Sequence, residues 1–190
     1  MKIQNEKLSR TEELMLEQPE LLEGLAWGKP RRGHPEGTVE PHVLEIWDQI
    51  NPDIHTEAEM QTLRHIALVH DSFKYQVDPG RNRTGENHHG WYARRFAERF
   101  IDDISTLEII QWHDEPFNIH RGWPKPRSQE RWQALLERPI DWEMFLEFFI
   151  IDGSTGDKIT DSIGWFQERL QEAGKIKGGR DNDYLETVDR

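Results

Sequence analysis

The sequence has no cysteine among its 190 residues. Disulfide bonds and thiolate metal sites are therefore excluded, and a transition metal could be bound only through histidine, aspartate and glutamate. Long apolar runs are also missing, since no stretch approaches the roughly 20 residues needed to cross a bilayer. Residues 1–14 lack the apolar core of a secretion signal. These absences predict a cytoplasmic protein without a membrane partner.

Positive charge is scarce as well, with 24 Lys and Arg residues against 36 Asp and Glu, and a formal net charge of -12. Nucleic acid is disfavoured as a partner because association would begin with electrostatic repulsion. Eight Trp and eight Phe among 35% hydrophobic residues favour one domain over residues 1–190 with an aromatic-rich core. A homo-oligomer is compatible with this composition, which does not indicate an oligomeric state.

Strand patterns are rare, whereas apolar residues recur at intervals of three and four, so the sequence predicts an all-α fold. Pro19 should interrupt the first helix. Segments rich in Gly and Pro predict loops at 28–37 and 78–87, and a long surface loop or lid at 116–130. The predicted helices span residues 10–24, 39–50, 56–75, 88–100, 105–114, 128–137, 140–152 and 157–173.

One predicted helix carries a histidine on its apolar stripe. Leu63, Ile66, His70 and Phe73 share a helical face, so His70 should point inward. Asp71 follows directly, and a buried carboxylate is costly unless it is paired or bound to a metal. The His-Asp pair therefore calls for a compensating charge.

Three other predicted helices repeat this feature. His42 lies between Val39 and Ile46 on the inner side of its helix, His113 follows Ile110 by three residues, and Asp152 ends an aromatic run. Because four helices each bring a polar ligand type to the core side, we expect a shared centre.

The ordered set His42, His70-Asp71, a histidine at 88 or 89, His113 and Asp152 resembles the HD-domain superfamily of metal-dependent phosphohydrolases. The segment HPEGTVEPHVLEIWD is similar to the opening of the HD domain attached to certain bacterial tRNA nucleotidyltransferases. HDSFK is similar to the His-Asp-x-x-Lys variant of the superfamily motif, and FFIIDGSTG to its closing apolar-Asp-x-x-Gly element. The resemblance covers about residues 34–158, with the helices at 10–24 and 157–173 as additions.

This resemblance implies an HD-domain-like helical bundle with a metal in its core, held by His42, His70, Asp71 and Asp152. Members with two further histidines hold a second metal, with Asp71 bridging the two. His113 stands where the later of these histidines belongs.

Two neighbouring histidines compete for the earlier position. The small residue that the superfamily usually has five positions downstream matches Ala93 if the ligand is His88. Helical periodicity with Ala93 and Phe96 favours His89 instead. The sequence-based preference is His88, with His89 as the open alternative.

Four imidazoles and two carboxylates without sulfur suit one or two ions of Fe, Mn, Co, Ni or Zn better than Ca, and Mg is also less favoured. Two such ions could activate a water and clamp the oxygens of an in-line displacement, which is phosphoester hydrolysis. The predicted catalytic residues are Asp71 and Lys74. Lys74, Arg81 and Arg83 are the predicted contacts to a small anionic substrate, a phosphorylated metabolite or nucleotide.

Two other functions compete with hydrolysis. The same ligands could hold a mixed-valent pair of irons, as in the HD-fold oxygenases that act on phosphonates or on inositol. An HD module without catalytic activity could instead bind a nucleotide as a sensor. Histidines 55, 65 and 120 are predicted to be exposed and outside the site.

Overall fold

The computed structural model describes residues 1–30, 37–155 and 161–177. Within these ranges the protein is all-α, as predicted, and its extended pairing is limited to an isolated bridge between Gly28 and Thr38. The helices are α1 Arg10–Leu16, α2 Pro19–Leu25, α3 Val39–Gln49, α4 Glu57–Val69, α5 His89–Ala97, α6 Ile104–Trp112, α7 Glu115–His120, α8 Pro126–Leu136, α9 Trp142–Gly153 and α10 Asp161–Glu172. Short 3-10 turns lie at Ile3–Asn5, Lys74–Gln76 and Gly85–Asn87.

Local sequence signals explain several helix starts. Ser9 and Thr56 each form a capping box with a glutamate three residues later, at the starts of α1 and α4. In a capping box the side chains satisfy amide groups that have no partner inside the helix. Pro19 separates α1 from α2, as the sequence predicted, and occupies the first turn of α2. A proline is tolerated there because a first-turn amide has no intrahelical acceptor.

The prediction of a surface loop at 116–130 is wrong, because this segment contributes to helices α7 and α8. Pro116 lies in the first turn of α7 and Pro126 begins α8. Both prolines favour a loop by composition, yet both stand where proline is compatible with a helix start.

Helix α4 ends at Val69, several residues before the predicted end at Tyr75. The hydroxyl of Ser72 donates a hydrogen bond to the carbonyl of Leu68 over 2.7 Å, while the Ser72 amide bonds Val69 three residues back. The helical pattern stops there, and the chain turns into the 3-10 segment at Lys74–Gln76. His70 and Asp71 therefore stand at the end of α4 rather than within it.

Helix α4 lies at the centre of the bundle and contacts α3, α6 and α9, while α5 packs on α6 and α10 packs on α7 and α9. The core is rich in aromatic residues, as predicted, with Phe145, Phe148 and Phe166 fully buried. Among the described helices, none combines the length with the apolar character that crossing a bilayer requires. Both predicted ends of the HD-like core, residues 34 and 158, lie outside the described residues.

Candidate metal centre

Side chains from three helices form the first of two His/Asp groups at the centre of the bundle. His42 belongs to α3, His70 ends α4 and Asp152 belongs to α9. Nε2 of His42 lies 2.9 Å from Oδ1 of Asp152, and Nε2 of His70 lies 3.8 Å from the same oxygen. The three donor atoms are close enough together to hold one metal ion.

The second group consists of Asp71, His89 and His113. His89 is the first residue of α5, and His113 ends α6. The Nε2 atoms of the two histidines are 3.0 Å apart, and they lie 3.4 Å and 3.5 Å from Oδ1 of Asp71. These three residues could also hold an ion.

Asp71 connects the two groups because its two carboxylate oxygens face different partners. Its Oδ2 lies 3.6 Å from Nε2 of His70 in the first group, and its Oδ1 faces both histidines of the second. The ammonium group of Lys74 also donates a hydrogen bond to Oδ2. Although burial alone would raise the pKa of Asp71, Lys74 and the surrounding histidines outweigh it and hold that pKa well below its usual range. Asp71 is therefore a buried anion between two clusters of imidazoles.

Two histidines have ring orientations that are fixed by the ends of their helices. Nδ1 of His70 donates to the carbonyl of Ala67, and Nδ1 of His113 donates to the carbonyl of Ile110, each over 2.9 Å. A neutral ring that donates through Nδ1 presents the lone pair of Nε2, and metal-binding histidines commonly have such a second hydrogen bond. In both rings Nε2 points toward the centre.

His70 provides a test of whether a metal would fit. Its Nε2 is buried and has no hydrogen-bond partner in the part of the chain that the structure describes. Burial lowers the pKa of His70 to about 3, so the ring is neutral near pH 7. An unsatisfied buried nitrogen costs on the order of 1–3 kcal/mol, which an ion at this position would remove.

The distances between donor atoms in the two groups also match those between neighbouring ligands of one metal ion. With metal–nitrogen bonds of about 2.1 Å, adjacent ligand atoms lie about 3.0 Å apart at a right angle and about 3.4 Å apart in a tetrahedron. The distances in the two groups run from 2.9 Å to 3.8 Å. The residues therefore fit one ion in each group.

Burial and charge set the protonation of the second group. Burial lowers the pKa of His89 to about 4, against the opposing effect of Asp71. Burial also works to lower the pKa of His113, but a hydrogen bond to Asp71 and the charges of Asp114 and Asp71 outweigh it and raise that pKa. His113 is thus the imidazole of this group that most readily holds a proton, which a metal would have to displace.

The structure brings His89, and not the preferred His88, beside Asp71 and His113. His88 is the N-cap of α5 with an extended backbone, and its Nδ1 accepts a hydrogen bond from the Gly90 amide over 3.1 Å. The ring proton of neutral His88 is therefore on Nε2, which lies 3.3 Å from Oδ2 of Asp114. Although His88, His89 and Asp114 form a third close group, this tautomer leaves His88 no lone pair for a metal there.

A hydroxyl that sequence reasoning missed supports the first group. Thr155 is 3% exposed, and its Oγ1 donates to the carbonyl of Asp152 over 2.7 Å. The same oxygen lies 3.3 Å from Nδ1 of His42, so it can accept the proton of that nitrogen. Thr155 belongs to the FFIIDGSTG segment, and its position three residues after Asp152 was the available signal.

The predicted substrate contacts differ in position. Lys74 is bonded to Asp71. Arg83 lines a cleft of about 540 Å³ that also includes His88 and Asp114 in its wall, whereas Arg81 is exposed outside that wall.

The prediction that three other histidines are exposed is wrong. His55 is 5% exposed and lies between Oε1 of Glu147 and the carbonyl of Asn51, each 3.0 Å away. His65 and His120 are half-buried. The structure does place all three outside the two groups. His34, in the HPEG segment, lies outside the described residues.

No protein-family model, curated protein or solved structure matches this chain.

Proposed function

We propose that this protein is a metal-dependent phosphohydrolase of the HD-domain type, which cleaves a phosphoester of a small phosphorylated metabolite or nucleotide. The observation that carries the proposal is the position of Asp71, whose two carboxylate oxygens face the two groups separately. A carboxylate that faces two imidazole clusters is the arrangement expected of a bridging ligand.

In this proposal, His42, His70 and Asp152 hold one ion, His89 and His113 hold a second, and Asp71 contributes to both. Imidazole and carboxylate ligands favour Fe, Mn, Co, Ni or Zn. When bound, such a pair of ions supplies an activated water and a positive clamp on the oxygens of an in-line displacement.

The chain's own residues would orient the ligands and the substrate. The carbonyls of Ala67 and Ile110 fix the rings of His70 and His113, and Thr155 does the same for His42. The side chain of Lys74 is 22% exposed beside Asp71, and its ammonium can turn from that carboxylate toward a substrate phosphate. Lys74 would then bind the anion that the hydrolysis releases.

Metal content and activity of the purified protein test this proposal together. The protein is loaded with each candidate metal, and phosphate release is measured over a panel of small phosphoesters without oxygen. We expect about two ions per chain and turnover with Mn or Co. In His70→Gln, we expect both the bound metal and the turnover to be lost. His65→Gln provides a matched control, because His65 belongs to the same helix and its side chain contacts Ser9 at 3.4 Å. Metal binding without turnover of any ester would favour the sensor function and overturn the proposal.

A second candidate is a mixed-valent diiron oxygenase that acts on a small phosphonate or polyol. Four imidazoles and two carboxylates in two groups joined by one carboxylate would suit a pair of irons equally well. This candidate predicts that turnover consumes dioxygen and occurs with iron alone. The hydrolase is expected to work without oxygen and with manganese or cobalt.

A further inference from the structure

The cleft of about 540 Å³ adjoins the candidate metal centre through His88 and Asp114. Both residues line the cleft, and the ring of His88 contacts that of His89 in a tilted arrangement, with 4.3 Å between centroids and 37° between the ring planes. A molecule with a phosphate at the metals could therefore extend its remainder into this cleft.

The wall of the cleft is unusually basic for a protein with a net charge of -12. Four arginines line it, at positions 83, 127, 131 and 138. Two of them are already paired, because Arg131 binds Glu115 through two hydrogen bonds and Arg138 lies 3.5 Å from Glu108. Arg83 and Arg127 remain exposed, and neither forms an ion pair within the ranges that the structure describes.

These two arginines belong to different parts of the chain. Arg83 precedes the 3-10 turn at Gly85–Asn87, and Arg127 lies in the first turn of α8. The same wall includes the half-buried indole of Trp91 and the methyl group of Ala134, which suit a carbon skeleton. Of the carboxylates in the wall, Asp114 lies 3.3 Å from the His88 ring and Glu115 is bound to Arg131, which leaves Glu130 as the competing charge.

We infer that the cleft holds the leaving group of the substrate and that this group carries its own anion, a second phosphate or a carboxylate, between Arg83 and Arg127. The inference rests on the proposed phosphohydrolase function and narrows its substrates to phosphoesters with two anionic groups. Guanidinium groups bind both anions through charge-assisted hydrogen bonds, so the two sources share one recognition chemistry.

Matched pairs of phosphoesters test the inference with the manganese-loaded full chain, and their affinity is measured as the calorimetric Kd where no phosphate is released and as KM where the ester is hydrolysed. Glycerol 3-phosphate is compared with 3-phosphoglycerate, which adds a carboxylate, and ribose 5-phosphate with ribose 1,5-bisphosphate, which adds a phosphate. We expect the doubly anionic member of at least one pair to bind roughly tenfold more tightly, which is the size of a charge-assisted contact. The pair that shows the preference identifies the anion.

Variants of the cleft wall locate that preference. Arg83→Gln and Arg127→Gln should each remove most of the tenfold difference and leave the affinity for the singly anionic member within twofold. Glu130→Gln should strengthen binding of the doubly anionic member, since it removes the competing carboxylate. Arg10→Gln is the control, because Arg10 is an exposed arginine of α1 paired with Glu13.

Two results would overturn the inference: equal affinity for both members of each pair, or equal weakening of both members by the arginine variants. The proposed function is tested independently of the cleft, because phosphate release by the same samples measures hydrolysis directly. Selective binding without hydrolysis would leave the cleft assignment standing and remove the phosphohydrolase. Hydrolysis that continues while substitution of Arg83 or Arg127 leaves the selectivity unchanged would support the phosphohydrolase and remove the cleft assignment.

Discussion

A Cβ atom on Gly90 would lie 2.2 Å from the backbone oxygen of Gln111, so helices α5 and α6 touch at a point where no larger residue fits. Gly90 follows His89, and Gln111 precedes His113 by two residues. This backbone contact therefore sets the distance at which the two histidines of the second group meet.

Gly90→Ala should consequently separate α5 from α6. We expect a loss of folding stability of about 2 kcal/mol or more from the overlap, together with loss of one bound ion per chain. Urea denaturation and metal analysis measure the two effects. Gly164→Ala is the matched control, since a Cβ at that position of α10 meets open space. The control should be neutral or stabilising by up to about 1 kcal/mol. A Gly90→Ala variant with normal stability and metal content would contradict the packing argument.

His88 and His89 provide a test by adjacent substitution. His89→Gln should reduce the metal content by one ion per chain, because its Nε2 lies 3.0 Å from that of His113. His88→Gln should leave the stoichiometry unchanged and destabilise the protein by about 1 kcal/mol through the lost N-cap. Metal analysis after equilibrium dialysis, with thermal unfolding of both variants, distinguishes them. A reversed pattern would restore His88 as the ligand.

The protein without metal should lose stability in mild acid. His70 and His89 have pKa values lowered by burial to about 3 and about 4, below the ordinary value of 6.5. The unfolded chain therefore takes up protons first, and the stability contributed by the neutral rings is lost as the pH falls from about 6.5 toward 4. His113 has the opposite effect on stability. Because its pKa is raised in the folded protein, the stability that it contributes is lost as the pH rises above the ordinary histidine pKa of 6.5.

Urea unfolding in chelator between pH 7 and pH 5 measures this dependence. Each proton taken up by the unfolded chain alone corresponds to about 1.4 kcal/mol per pH unit. The slope should be smaller in His89→Gln than in the wild-type protein. Stability that does not change between pH 7 and pH 5 would be incompatible with neutral, buried imidazoles.

Thr155 should influence the metal centre without being a ligand. Thr155→Val removes the acceptor for Nδ1 of His42, and we expect metal affinity to fall by about tenfold or more, as for other outer-sphere partners of histidine ligands. Thr155→Ser keeps the hydroxyl and should restore most of the affinity. Thr62→Val is the control, because the exposed Thr62 hydroxyl donates to the carbonyl of Ala58 in its own helix. Competition with a fluorescent chelator measures the metal affinity of the three variants. Equal affinities of Thr155→Val and Thr155→Ser would exclude the orienting role.

Periodicity predicted most of the helices and the inward direction of His70, because burial of an apolar stripe is a local property of the sequence. The reading of proline as a loop signal failed between 116 and 130, because Pro116 lies in the first turn of α7 and Pro126 begins α8, so the same residue type can mark either a break or a start. For His88 and His89, the spacing to the small residue Ala93 and the helical periodicity gave different answers. The periodicity agrees with the geometry because α5 begins at His89.

Other features depend on contacts between distant segments, which the local sequence pattern does not determine. His55 is buried through Glu147, 92 residues away, and the bond between Thr155 and His42 spans 113 residues. The cleft is similarly non-local, since its wall combines the residues before α5 with one side of α8. Sequence reasoning could find Arg83 as a loop arginine, but pairing it with Arg127 required the fold.

Consecutive placement of His70 and Asp71 links the two groups covalently. The other four donors arrive on separate segments and depend on helix packing for their positions, whereas these two are joined by a single peptide bond. Any movement of the end of α4 must therefore displace a donor of each group at once. In the proposed function, occupancy of one position would therefore influence the other, and the two ions would load and be released cooperatively.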